Sequence, residues 1–219
     1  MSRRVIVLGA GGHGQVVAAI LWQMQATGQD VMPVGYLDNN PKLTGQHFQD
    51  LPVLGIVADL ATVPHDAVVV ALGDNATRGH LYDQLTTQGK CLQICCHPRA
   101  VVATGVTIGP GTMICAGVVI NPGSVIGANV ILNTGCTVDH HNQIGDHAHI
   151  APGVHLGGDV HIGAGALIGI GATVIPQRSV GAWSVVGAGS VVTKNIPNGV
   201  VAVGMPARVI RKLDQGISP

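Results

Sequence analysis

Six of the chain's eleven histidines, His140, His141, His147, His149, His155 and His161, fall within 22 consecutive positions. Imidazole titrates near neutrality, so such a cluster can hold a metal, carry protons or simply decorate a repeat. His140 and His141 are adjacent, while His149, His155 and His161 recur every six residues. A second candidate lies at the other end of the chain, in "GAGGHG" at 9–14, where Gly9, Gly11 and Gly14 satisfy G-x-G-x-x-G. A glycine turn of this kind, set between a strand and a helix, brings backbone N–H groups to a phosphate. Asp38 ends the next apolar run, where a ribose-binding acid would stand. The five cysteines are odd in number and unevenly spaced, which is neither a disulfide framework nor a paired zinc motif and points to a reducing cytoplasm.

The elements that must position these residues follow two periods. From Val102 to Val192 an aliphatic residue recurs every six positions, through sixteen hexads without an insertion. Three residues after each, glycine dominates, joined by Asn129, Asp159 and Asn195, types tolerant of positive φ. Four residues after each stands mostly a small or β-branched residue, as at Thr112, Ser124, Cys136 and Ala148. Six is neither the period of a helix face nor that of a plain strand, so short strands joined by tight corners are expected. His141 and His147 fall on corners, and His149, His155 and His161 on three different faces, so they cannot converge on one metal within a chain. The first hundred residues instead read as strand, glycine turn and helix, a strand ending at Asp38, a strand "AVVVALGDN", a helix around "RGHLYDQLTTQGK" and a fourth strand "CLQICCHP". That alternation implies a small parallel sheet flanked by helices, with room for one nucleotide rather than two. The expected domains are 1–97, 98–204 and a tail, 205–219, forming a short helix.

Eleven basic and eleven acidic residues leave no basic stripe, which argues against nucleic acid or an anionic membrane as partner. Glycine, proline or a polar residue interrupts every apolar stretch well short of the ~20 residues of a membrane helix. A soluble, cytoplasmic protein is expected.

The hexads resemble the left-handed parallel β-helix of the hexapeptide-repeat acyltransferases, in which three hexads make one eighteen-residue coil. With strands about 4.8 Å apart, the prism would be about 25 Å long. The whole chain resembles the sialic-acid-type sugar O-acyltransferases and the N-acetyltransferases of nucleotide-linked aminosugars. The residues that carry the likeness are "GAGGHG", "LDNNP" at 37–41, "ALGDNATR" at 71–78, "HPRA" at 97–100, "VILNTGCTVDH" at 130–140, "HIAPGVHLGG" at 149–158 and "GAGSVVTKNIPNGVVAVGMPARVIR" at 187–211. The resemblance implies an α/β half-Rossmann domain followed by the β-helix, and a homotrimer with active sites between neighbouring prisms. It implies His140 as general base, and His149 and the Gly158 amide near the thioester of acetyl-CoA. It further implies Ile170 and Ala188 along coenzyme A, and Gly11, Gly12, His13, Asp38, Asn39 and Gly73 around a nucleotide sugar. Direct attack by an amino group of a deoxysugar is expected, with no metal and no covalent intermediate. An O-acetyltransferase and a non-catalytic binding trimer are the alternatives. A metal between subunits, as in γ-class carbonic anhydrases, would need an H-x-x-x-x-H pair that the chain does not contain. One departure stands out, because relatives commonly place an acid directly after the base and here that residue is His141. On an eighteen-residue coil His140 neighbours Gly158 and His141 neighbours Asp159, so His141 is expected to pair with Asp159 in place of the usual acid.

Overall fold

The computed structural model describes residues 2–213, which cluster into two compact units divided between Pro98 and Arg99. In the first, β1 (Arg3–Leu8) leads through the glycine turn into α1 (Gly12–Ala26) and back into β2 (Val31–Leu37). A short hairpin of β3 (His47–Phe48) and β4 (Leu51–Gly55) follows, then β5 (Ala67–Val70) and α2 (Asn75–Thr87). The sheet order is β3-β4-β2-β1-β5, parallel except for β3. Val5, Ile6, Val7 and Leu8 are all fully buried, as befits a central strand covered on both faces. α1 buries Val17, Ile20, Leu21 and Met24, spaced three or four apart along one side. β1 thus has β2 on one side and β5 on the other. That reversal of strand order opens a crevice at the strands' carboxyl ends, where open α/β sheets bind ligands.

Two expectations for this unit need correction. The β3–β4 hairpin was not anticipated, since "FQDLPVLG" has a proline inside its apolar run; Pro52 stands in β4 opposite His47 of the two-residue edge strand β3. The expected fourth strand "CLQICCHP" shrinks to an isolated bridge between Val68 and Leu92 and a two-residue strand, Cys95–Cys96.

The second unit is a left-handed parallel β-helix, the architecture expected of the hexads. Each hexad contributes one two-residue strand, and each strand as far as Thr173–Val174 pairs in parallel with the strand eighteen residues on, as Val119 with Thr137 and Thr137 with His155. The aliphatic positions from Ile114 to Val192 are all at most 3% exposed, so one apolar column fills the prism from each face. All fifteen corners from Gly105 to Gly189 have φ between 54° and 82°, including the non-glycine residues Asn129, His141, His147, Asp159, Gln177 and Trp183. Asn195 is not among them. There the repeat shortens, Ile196 bridges Val180, and the corner moves to Gly199 at φ 62°.

The tail does not form the expected helix. Arg208–Lys212 is a strand, antiparallel to Val200–Val203. Val200–Val203 would otherwise be a bare sheet edge, and β-branched Val209 and Ile210 favour the extended form that covers it. The rest of the tail, 214–219, lies outside the described residues. Among the described residues no helix is long and apolar enough to cross a membrane.

Candidate active site

His140 and His141 occupy the corner between the strands Thr137–Val138 and Gln143–Ile144. Their rings meet edge to face, with centroids 5.2 Å apart and the two Nδ1 atoms at 3.0 Å. They lean along the prism in opposite directions. The edge of His140 lies over Gly158, one coil on, so close that a Cβ there would stand 2.5 Å from Nε2. His141 lies over Gly123, one coil back, where a Cβ would stand 2.6 Å from its Cδ2. In each case a glycine eighteen residues away leaves the space that the ring fills.

This geometry corrects the expected pairing of His141 with Asp159. Asp159 is exposed at the next corner, and its backbone N–H donates to the His140 carbonyl at 2.9 Å. Its carboxylate makes no ion pair with either ring. The physical reason is room: the glycine lies on the Gly123 side of His141, not on the Asp159 side.

Asp139 was not anticipated as part of the site. Its Oδ1 accepts from the Asn121 amide and from the His140 backbone N–H, both at 2.8 Å. Those two bonds, with a smaller contribution from the charge of His140, hold its carboxyl below the usual carboxylate range. Beneath the corner runs a fully buried polar column. Ser124 Oγ and Asn142 Nδ2 both donate to the Asp139 carbonyl, at 2.9 and 2.7 Å, and Asn142 Oδ1 accepts from the Val160 N–H at 2.6 Å. The backbone that carries both histidines is therefore pinned from inside, at a position where most other hexads have a small or aliphatic side chain. The register was legible, because Asn121 and Ser124 lie eighteen residues before Asp139 and Asn142.

Gly158 is buried, and its carbonyl accepts from Gln177 at 3.0 Å. At the corresponding place in other hexads, the N–H of Ala128, Thr134 and Ala182 is taken by a side-chain oxygen. Among the described residues the Gly158 N–H donates to none. The other expected residues lie elsewhere on the prism. His149 is on the third face, where Nε2 accepts from the Asn133 amide at 3.2 Å. Ile170 and Ala188 stack one coil apart on another corner, with the Gly189 N–H donating to the Ile170 carbonyl at 2.8 Å, and Ile170 is 62% exposed. Within one chain, then, His140 and Gly158 come together, while His149, Ile170 and Ala188 do not join them. His155 pairs with Thr137 Oγ1 at 2.9 Å, and Asn129 donates to His147 Nδ1 at 2.9 Å. Among the described residues no three His, Cys, Asp or Glu side chains gather as metal ligands.

In the N-terminal unit, the switch point is lined by open glycines. Added Cβ atoms at Gly11, Gly12 and Gly73 would meet nothing within 4 Å, whereas one at Gly14 would run into the Gly9 carbonyl. Gly14 therefore permits the close approach of α1 to the turn, and Gly11 and Gly12 leave it accessible. Gly11 caps α1 without a side-chain hydrogen bond, and a helix N-terminus attracts anions. Asp38 buttresses this turn: Oδ2 accepts from the Ala10 N–H at 2.7 Å and Oδ1 from the Asn40 N–H at 2.8 Å. Asn39 Oδ1 accepts from the Val57 N–H at 3.1 Å. Both side chains expected to face a base or ribose thus already hold local backbone.

Arg78 was also not anticipated. It is fully buried, with Nη1 donating to the Leu72 carbonyl at 3.0 Å, and burial pushes its guanidinium down to about 10. Burial, helped by the charge of Arg78, pushes the His13 imidazole down to about 4.

A prism of eighteen-residue coils with paired imidazoles at a corner, preceded by a nucleotide-type crevice, defines a hexapeptide-repeat acyltransferase with a Rossmann-like domain. Residues 4–85 match the PglD N-terminal domain. GDP-perosamine N-acetyltransferase of Caulobacter crescentus, in a histidine-to-alanine form with CoA and GDP-perosamine, is 35% identical over 95% of this chain and 97% of that one, with a TM-score of 0.88. The acetyltransferase domain of PglB from Neisseria gonorrhoeae FA1090, with acetyl coenzyme A, is 33% identical over 96% and 100%, with a TM-score of 0.89. WeeI from Acinetobacter baumannii AYE is 30% identical over 94% and 99%, with a TM-score of 0.82. A protein of Staphylococcus aureus (strain COL) carrying an acetyltransferase name is 50% identical over 44 residues, so the chain spans 22% of that relative's length. The chain belongs to the PglD-like sugar N-acetyltransferases.

Proposed function

We propose that this protein transfers an acetyl group from acetyl-CoA to the amino group of a nucleotide-linked amino-deoxysugar, with His140 as general base. The observation that carries this reading is the seat of His140 over Gly158, which sets an imidazole nitrogen beside an N–H that has no acceptor among the described residues. Acyl transfer from a thioester needs such a pair, one group to take the amine proton and one to hold the developing oxyanion. The cysteines of the prism favour direct attack, since burial pushes the Cys115 thiol up to about 11 and Cys136 up to about 12, leaving neither as a thiolate nucleophile.

Gly11, Gly12 and His13 would hold the diphosphate at the start of α1. Asp38, Asn39 and Gly73 form the rim of the same crevice. Ile170, exposed at its corner, would lie along the pantetheine chain with Ala188 beside it. Because His140 and Ile170 stand on different corners, one acetyl-CoA touching both needs a second prism, which supports a homotrimer with sites between subunits. His149 would approach the thioester in the same way. His140→Ala should leave assembly and the affinities for both substrates nearly unchanged and lower turnover ~10²- to 10⁴-fold, the usual worth of a positioned base. Release of coenzyme A in the presence of nucleotide aminosugars measures it, and a wild-type rate in the purified variant refutes the assignment.

A further inference from the structure

We propose that His141 is the proton acceptor for His140, so that two neutral imidazoles serve where a base and a carboxylate would otherwise be paired. The proposal rests on His140 acting as the base.

One requirement settles every proton in the pair. Nε2 of His140 is the ring nitrogen nearest Gly158, and it must carry a lone pair to act as base. A neutral His140 then bears its hydrogen on Nδ1. That hydrogen points at Nδ1 of His141, 3.0 Å away, which must be the acceptor, so His141 carries its own hydrogen on Nε2. The reverse arrangement would put a hydrogen on His140 Nε2 and abolish the base. No carboxylate competes for the His140 Nδ1 hydrogen. Oδ1 of Asp139 is engaged by Asn121 and by the His140 backbone N–H, and Asp159 forms no ion pair with either ring. These two acids and His141 are the titratable groups around His140 on its own corner and the next.

The relay conserves protons and electrons. As the amine nitrogen forms its bond to the thioester carbon, the carbonyl π pair moves onto oxygen, toward the Gly158 N–H. The amine proton passes to His140 Nε2, and the His140 Nδ1 proton passes to His141. When the C–S bond breaks, its electron pair leaves with sulfur. His140 Nε2 gives its proton to that sulfur, and His141 returns the other to His140 Nδ1. The products are an amide and a free thiol, and both rings end as they began. The positive charge resides meanwhile on His141, which is exposed and can be hydrated.

Position 141 has φ 58°, a conformation that Asn and Asp adopt readily, so His141→Asn and His141→Asp are structurally mild tests. An asparagine oxygen accepts the Nδ1 hydrogen and orients His140 but takes no proton. His141→Asn should keep both Michaelis constants, lower kcat about tenfold as part of the worth of acid–base catalysis, and reduce the proton inventory in mixed H2O/D2O from two protons to one. His141→Asp should retain kcat and move the acidic limb of the profile to higher pH, because a neighbouring anion raises a histidine's pKa. Nitrogen NMR of the histidine-labelled wild type should show His140 Nε2 and His141 Nδ1 both without hydrogen at neutral pH. A hydrogen on His140 Nε2, or a His141→Asn variant with wild-type kcat and a two-proton inventory, overturns the relay. A fully active His140→Ala would instead overturn the underlying assignment of the base.

Discussion

Gly158→Ala separates the seat of the base from the stability of the prism. Gly158 is not at a positive φ, so its backbone accepts a side chain without strain. The new Cβ would lie 2.5 Å from His140 Nε2 and 3.1 Å from Nδ1, against an ordinary separation of about 3.5 Å or more between carbon atoms. The imidazole must therefore shift by about 1 Å, and a misplacement of that size is worth about 10² in rate. What it displaces is the end of a side chain rather than backbone, so the fold should absorb it. Loss of glycine freedom in the unfolded chain adds about 0.4–1 kcal/mol in favour of folding. The expected result is a kcat reduced about 10²-fold with both Michaelis constants within a few-fold of wild type and a thermal midpoint unchanged or slightly raised. Steady-state release of coenzyme A and thermal melts on the same preparation supply both numbers. In a His140→Ala background the same change should cost almost nothing more, since the two substitutions act on one interaction. A Gly158→Ala variant as fast as wild type would show that the seat of His140 does not matter to turnover, and additive losses in the double variant would show that Gly158 acts independently of it.

Two further outcomes follow from the N-terminal unit. His13 is held near 4, while an unfolded histidine titrates near 6.5, so stability is full above about 6.5 and falls as acid protonates the unfolded chain first, down to about 4. The whole loss is about 3 kcal/mol at 1.36 kcal/mol per pKa unit; urea unfolding followed by helical circular dichroism, which reports α1 and α2, should show it in wild type and not in His13→Gln, and equal slopes would refute it. Gly14→Ala should destabilise this unit by about 1–3 kcal/mol because its Cβ strikes the Gly9 carbonyl, whereas Gly12→Val, facing open space, should leave the melt unchanged and raise only the acceptor's Michaelis constant.

Most of the architecture was legible because it repeats. The aliphatic sixth positions, the positive-φ corners and the eighteen-residue register all appear in the structure as they read in the sequence, since one local rule applies coil after coil. The glycine turn was legible for a similar reason, as a strand-to-helix joint has few solutions. What escaped lies where the repeat ends or where non-repeating partners decide. The shortened hexad at Asn195 and the terminal hairpin lie where no further coil supplies hydrogen bonds. Arg78 was hidden in an α2 segment that looks like an ordinary polar helix, and only the fold shows its guanidinium under the turn.

The misreading of His141 has a more general cause. Register says which residues are neighbours on adjacent coils, but each corner side chain has two such neighbours, eighteen residues before and eighteen after. Choosing Asp159 for His141 weighed charge and ignored volume. A ring needs about 3.5 Å of clearance from the backbone it covers, and a glycine corner provides it. By that rule His140 leans forward, with Gly158 ahead and Pro122 behind, and His141 leans back, with Gly123 behind and Asp159 ahead. Trp183 obeys it as well, lying over Gly165. The opposed leanings cross the two imidazoles at the one place where their Nδ1 atoms can meet. The contact between them thus arises from the two glycines, each a coil away, that decide where adjacent rings can lie.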